Sequence, residues 1–232
     1  MRHILITGAN QGLGLSLVTE YLAKGDTVYA GIHRKSAAIR QLSQETREKL
    51  IPLLLDVTSE GSVRKMLKAV QKRTDKLDIL INNAAVHLSP GEEKITEMDP
   101  VRMMRTFDVN SAGPARMIKH FLPLLERGEK KIIVNISSEA GSITNCGRES
   151  EYDYCMSKAA LNMLTKLMQN FGKAKGLKVL SIHPGWMRTS MGGPTAHFPP
   201  DVTAKQIVAQ LERPDFQNLP AYMNFDGTPL PW

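Results

Sequence analysis

Apolar residues along this chain gather into short unbroken runs, separated by longer stretches of helical periodicity. The runs "HILIT", "TVYAGI", "LIPLLLDV", "LDILIN", "KKIIVNIS", "LKVLSIH" and a final "AYMNF" predict about seven strands. Between them, "LGLSLVTEYLAKG" is an amphipathic helix that Gly25 can end. A polar helix is expected around Ala37–Glu48, and another, capped by Thr58 or Ser59, runs to about Arg73. A long helical tract spans about Pro100 to Arg127, a further helix Tyr152–Gly172, and a short one lies near Val202–Leu211. Strands that are apolar on both faces and alternate with helices predict a parallel sheet covered on both sides. Right-handed crossovers then make a doubly wound α/β arrangement the natural solution. No internal repeat, low-complexity segment or linker interrupts residues 1–232, which read as one domain. The Pro- and Gly-rich "HPGWMRTSMGGPTAHFPP" follows a strand end directly, so a substrate loop is expected over about 185–200.

Composition narrows the function classes. Hydrophobic residues at 42% and charged residues at 23% place the chain with folded globular proteins rather than disordered ones. The net charge of +7 raises nucleic acid as a partner, but the basic residues are scattered among acids, as in "EEKITEMDPVRMMR". A nucleic-acid role is therefore not expected, and an anionic cofactor explains part of the excess. Every apolar run is too short for a secretory core or a membrane span. Two cysteines, Cys146 and Cys155, build no disulfide framework, which suits a reducing cytoplasm. No set of His, Cys or acidic residues has metal-site spacing.

The first strand leads into "TGANQGLG", and a helix follows at once. Gly8, Gly12 and Gly14 let the backbone turn sharply and approach a pyrophosphate, while the helix start offers unpaired N–H groups. Asn10, Gln11 and Leu13 belong to the same cofactor loop. At the end of the second strand an acid would accept from a ribose 2′-hydroxyl and repel a 2′-phosphate. Here the chain reads "AGIHRKS", with His33, Arg34 and Lys35 and no acid, so NADP(H) is favoured over NAD(H).

In "EYDYCMSKAALN" two tyrosines precede Lys158. Four residues turn an α-helix by about 400°, which stacks Tyr154 over Lys158 and points Tyr152 elsewhere. An ammonium in that place is expected to lower the Tyr154 phenol pKa and equip it as general acid or base. "VNISSEAG" brings Ser137 and Ser138 to the carboxyl edge of the sheet, where ligands bind in open α/β folds. In "FDVNSAGP", Pro114 has no N–H, so the carbonyl of Asn110 is freed for a water. Cys155 points away from the chemistry, Cys146 in the loop is a candidate for the cleft, and Trp186 and Met187 are expected to wall a substrate pocket. His183 reads as a strand-end residue rather than a base.

Taken together, "TGANQGLG", "LDVT", "NNAA", Val109–Asn110, "ISS", "YCMSK" and "HPGWMRT", in that order, resemble the short-chain dehydrogenase/reductase family over essentially the whole chain. The resemblance implies a Rossmann fold and a catalytic tetrad of Asn110, Ser138, Tyr154 and Lys158, with Ser138 preferred because it stands three residues before Gly141. It further implies Asp56 and Val57 at the adenine, Asn83, Ala84 and Ala85 along the cofactor, and Pro184, Gly185 and Thr189 near the nicotinamide. Within the family, "YCMSKAALN", "HPGWMRTSMGG" and "DGTPLPW" are most similar to C-factor and sniffer-type carbonyl reductases. The segment "ITNCGRESE" lengthens the stretch between Ser138 and Tyr154 into an enlarged loop over the site. The function expected is hydride transfer between a nicotinamide and a ketone, aldehyde or secondary alcohol. The alternative is a cofactor-binding signalling protein of C-factor type with incidental catalysis. Apolar residues in the helices at Met103–Leu125 and Ala159–Phe171 lead us to expect a homodimer or homotetramer.

Overall fold

The structure is a computed structural model that describes residues 1–232, with every side chain but that of Arg47. Seven strands form one sheet: β1 (His3–Thr7), β2 (Thr27–Ile32), β3 (Leu50–Leu54), β4 (Ile79–Asn82), β5 (Ile132–Ile136), β6 (Lys178–His183) and β7 (Tyr222–Asn224). Their spatial order is β3-β2-β1-β4-β5-β6-β7, and every neighbouring pair is parallel. The chain winds outward from β1 to β3, returns to pair β4 with β1, and winds outward again to β7. The reversal leaves a crevice beyond the carboxyl ends of β1 and β4, the place where such sheets bind ligands.

Seven α-helices cover the sheet: α1 (Gly12–Ala23), α2 (Ala37–Thr46), α3 (Glu60–Gln71), α4 (Pro100–Phe107), α5 (Gly113–Leu125), α6 (Tyr152–Gly172) and α7 (Pro200–Glu212). Side chains alternate along the strands even though the sequence runs are continuously apolar. Ile4 and Ile6 pack with Leu17 and Tyr21 of α1 and Ile207 and Leu211 of α7. Leu5 faces the opposite layer, with Val63 and Met66 of α3 and Phe121 and Leu125 of α5. Two cores result, one on each face, as the doubly wound expectation requires.

Some boundaries differ from expectation, and one open choice is settled. The tract predicted as one helix from Pro100 to Arg127 is broken by a π-turn at Asp108–Ala112, where the Gly113 N–H reaches back to Asp108 O. The ladder widens just ahead of Pro114, which brings no N–H for the Asn110 carbonyl. The helix after the cleft loop is longer than predicted, because Pro200 occupies the first helical position, where its missing N–H costs nothing. The cap left open between Thr58 and Ser59 falls to Ser59, whose side chain accepts from Ser62 N. Among the described residues, no helix is long and apolar enough to cross a membrane.

Candidate active site

The carboxyl edge of the sheet opens into one cleft of about 1240 Å³ that runs from the β1–α1 turn past β4 and β5 to the loop after β6. The turn after β1 is shaped by contacts only glycine can make. Gly8 has φ +64°, and a Cβ on Gly14 would stand 2.3 Å from Gly8 O. Thr7 Oγ1 accepts from Asn83 N at 3.0 Å and Ala84 N at 2.9 Å, and Asn83 Nδ2 donates to Thr7 O and Gly8 O. Asn83 thus holds the glycine turn rigid from the β4 side. Helix α1 starts without a side-chain cap and without an acid in its first turn, so its N–H groups and positive dipole face the cleft. That cradle fits a pyrophosphate.

Farther along, His33 and Arg34 are exposed at the end of β2 and line the same cleft. Arg34 forms no ion pair among the described residues, so its fork is free for an anion. Asp56 lies beyond β3, where one carboxylate oxygen accepts from Thr58 N at 2.9 Å and Thr58 Oγ1 at 2.7 Å. The Thr58 hydroxyl bond holds its carboxyl below the usual range. Val57, Ala84, Ala85, Pro184, Gly185 and Thr189 complete this wall, together with Asn10, Gln11 and Leu13.

Helix α6 carries the tyrosine and lysine. Its outer start is unusual: Glu151 caps it with φ +59°, a left-handed backbone rare for a residue with a Cβ. Tyr154 and Lys158 share the cleft-facing side, while Tyr152 turns outward and donates to Glu149 O at 2.7 Å. Lys158 is 2% exposed, and its Nζ donates to Ile136 O at 2.8 Å, lying 5.6 Å from the Tyr154 ring centre. The two serines separate cleanly. Ser137 Oγ donates to Asn162 Oδ1 at 2.7 Å, whereas Ser138 lines the cleft together with Tyr154.

Two expectations need correction. The ammonium does not acidify the phenol. Burial of the Tyr154 hydroxyl pushes its pKa up to about 12, with the Ser138 side chain only partly offsetting it. Lys158 is itself buried without a carboxylate partner, and that burial pulls it down to about 8. Cys146 does not reach the cleft. Thr144 donates to Trp232 O and Ser142 to Pro231 O, and this anchoring leaves Cys146 facing solvent. Cys155 is half-buried, and burial raises its thiol to about 11, which suits packing rather than nucleophilic work.

Asn110 is 1% exposed and does not line the cleft. Its side chain clasps the loop after β4, accepting from Val86 N at 2.8 Å and donating to Val86 O at 2.9 Å and to Ser157 Oγ at 3.0 Å. It therefore fastens that loop to α6, whatever its carbonyl does.

Sequence reasoning missed a charged rim. Arg148, in the enlarged loop, pairs with both Glu139 and Glu151. Glu139 accepts from the Ser138 hydroxyl at 2.6 Å. Burial pushes the Glu139 carboxyl up, but Ser138, His183 and Arg148 together hold it below its usual range. His87 Nε2 stands 2.9 Å from Glu151 Oε1, off the line of a hydrogen bond, and its ring centre is 4.4 Å from that of Tyr154. His183 lines the cleft beside them, its imidazole made less basic by burial. Only the adjacency of Glu139 to Ser138 hinted at any of this. Trp186 and Met187 form the far wall, where the Trp186 indole donates to Gly192 O at 2.8 Å.

Comparison with known proteins gives a consistent picture. The model of the short chain dehydrogenase family matches residues 2–199. The chain is 33% identical over 159 residues to C-signal of Myxococcus xanthus, an alignment covering 68% of this chain and 95% of that protein. In structure it is similar to the carbonyl reductase Sniffer of D. melanogaster, with a TM-score of 0.90, 29% identity and full coverage of both chains. It is also similar to the NADPH-bound carbonyl reductase from chicken fatty liver, with a TM-score of 0.87 and 27% identity, covering 100% of this chain and 99% of that one.

With its pKa raised by burial, Tyr154 stays a neutral phenol, since a raised pKa favours the protonated form until the pH climbs to it. An ultraviolet difference titration of wild type against Tyr154→Phe should show no tyrosinate step for Tyr154 below the ordinary phenol value of 10.0. A step near neutrality would mean that Lys158 dominates after all.

Proposed function

The chain belongs to the short-chain dehydrogenase/reductase family, and on that premise we propose that it is an NADP(H)-dependent carbonyl reductase with Tyr154 as general acid and base. It is an oxidoreductase of the NAD(P)-dependent kind. The observation that carries the finer reading is the meeting of Tyr154, Ser138 and Lys158 with the glycine turn in one cleft.

The dinucleotide would lie along the cradle of Gly8, Gly12 and Gly14, with Asp56 and Val57 at its adenine end and Thr189 at its nicotinamide end. When bound, it supplies the hydride. Everything else is work for the chain. Tyr154 gives its phenolic proton to the carbonyl oxygen, and Ser138, released from Glu139, donates to the same oxygen as negative charge grows there. Burial lowers Lys158 only to about 8, so near neutral pH it keeps its proton and stabilises the phenolate that Tyr154 becomes. Asn110 keeps the loop after β4 and α6 in register. In the oxidative direction the same groups run in reverse. Trp186 and Met187, in the substrate loop over about 185–200, exclude water from the reacting carbon.

NADP(H) is favoured because β2 ends in His33, Arg34 and Lys35 with no acid, and because a similar carbonyl reductase binds NADPH. A second reading, a cofactor-binding signalling protein, draws on the likeness to C-signal. A full set of Asn, Ser, Tyr and Lys has no purpose in a pure binder, which weighs towards catalysis.

We further propose that two copies pair through α4 and α6. Met104 is 68%, Met163 60%, Leu167 57% and Phe171 45% exposed, and the two helices pack side by side. Sedimentation should give a mass above that of one chain, and Leu167→Glu should reduce it to a monomer; a monomeric wild type would end this proposal.

Tyr154→Phe should retain NADPH binding and lower turnover of small ketones, aldehydes or quinones by about 10²–10⁴-fold. Tight NADPH binding by wild type with no turnover of any such compound would favour the signalling reading. Arg34→Ala should raise KM for NADPH about ten- to a hundredfold while leaving that for NADH nearly unchanged, because only the 2′-phosphate engages the guanidinium. Equal effects on both cofactors would place the phosphate elsewhere.

A further inference from the structure

Ser138 can meet a substrate oxygen only if its backbone stays where β5 leaves it, yet the segment that follows is a single short turn and a loop. Two buried side chains grip this backbone from opposite sides. Asn162, on α6 and 4% exposed, accepts from Ser137 Oγ and donates to Gly141 O at 3.0 Å. Tyr222, the first residue of β7 and 2% exposed, donates from its hydroxyl to Ser138 O at 2.5 Å.

The Tyr222 ring is held from behind in turn. Beyond β7 the chain reverses at Asp226–Gly227 and runs back, with Asn224 N donating to Thr228 O at 2.8 Å and Leu230 N to Tyr222 O at 2.9 Å. The return lays Trp232 on Tyr222, ring centres 5.2 Å apart and planes 23° apart. Trp232 O accepts from Thr144 N at 2.8 Å and Thr144 Oγ1 at 2.6 Å, and Pro231 O from Ser142 Oγ at 2.8 Å. The "DGTPLPW" segment is therefore a strap that covers Tyr222 and staples the loop after Ser138. Burial raises the Tyr222 phenol to about 12, so it remains a donor across the working pH range.

We propose that Tyr222, braced by Trp232, is a positioning residue for the reduction: by holding the Ser138 carbonyl it fixes the backbone from which the Ser138 hydroxyl reaches the substrate oxygen. Neither Tyr222 nor Trp232 lines the cleft, so both act through the serine. The proposal rests on Ser138 donating to the substrate, as argued above.

The test is a double-mutant cycle on the full chain. Tyr222→Phe retains the ring and its stack and removes only the hydroxyl. Its kcat should fall about tenfold, the effect of one well-placed hydrogen bond, with NADPH affinity changed less than about twofold. In a Ser138→Ala background the same exchange should change kcat less than about twofold, because no hydroxyl is left to aim. Trp232→Leu should lower kcat as Tyr222→Phe does, and Trp232→Phe, which keeps an aromatic stack, should restore most of it. Unchanged kcat in Tyr222→Phe, or an equal loss in both backgrounds, overturns the proposal. Full turnover by Ser138→Ala alone would instead remove the serine's role, and this proposal with it, which is a separable result.

Discussion

The site depends on how α6 is fastened to the sheet. Much of that contact is polar and buried. Asn82 Nδ2 donates to Asn135 Oδ1, Asn135 Nδ2 to Thr165 Oγ1, and Thr165 Oγ1 meets Ser181 Oγ, each within 2.8–2.9 Å. Ser137 with Asn162, and Lys158 with Ile136 O, extend the seam towards the cleft. Apolar packing tolerates small slides and rotations, whereas hydrogen bonds are directional and costly to leave unmade, at about 1–3 kcal/mol for each buried group. A helix shifted by one residue would orphan several at once. Its register is therefore set, and with it the position of Tyr154 over the sheet edge.

The same burial sets the protonation of the two groups at the end of that seam. Burial pushes Tyr154 towards its neutral phenol, with Glu139 and Glu151 acting in the same direction, and pushes Lys158, which has no carboxylate to hold its charge, towards its neutral amine. The Ser138 hydroxyl is meanwhile occupied by Glu139. Glu151 adds local strain, its left-handed backbone held by Arg148 at the entrance of the helix that bears the tyrosine. Strain and paired charges around a cleft mark a place prepared for a ligand rather than for stability alone.

Much of this was legible in the residue order. Continuous apolar runs predicted every strand, since a strand buried on both faces has no polar side to show, and Tyr152–Gly172 was predicted to its ends. Tyr154 was separable from Tyr152 because helical spacing alone decides which residue stands over Lys158. The break at Asp108–Ala112 was only half visible. Pro114 announced a missing donor, but whether the helix would kink, stop or widen depends on what packs against it.

The sequence by itself determined the doubly wound sheet, the glycine turn and the residues gathered at its rim, because these follow from local periodicity and from steric needs that act within a few residues. Only the tertiary structure decided the protonation of Tyr154, the outward placement of Cys146, the approach of His87 to Tyr154, the pairing of Glu139 with Arg148, and the grip of Tyr222 on Ser138. Those outcomes depend on burial and on contacts between segments up to 89 residues apart. No local pattern encodes the dielectric surroundings of a side chain or the neighbour it meets from a distant strand.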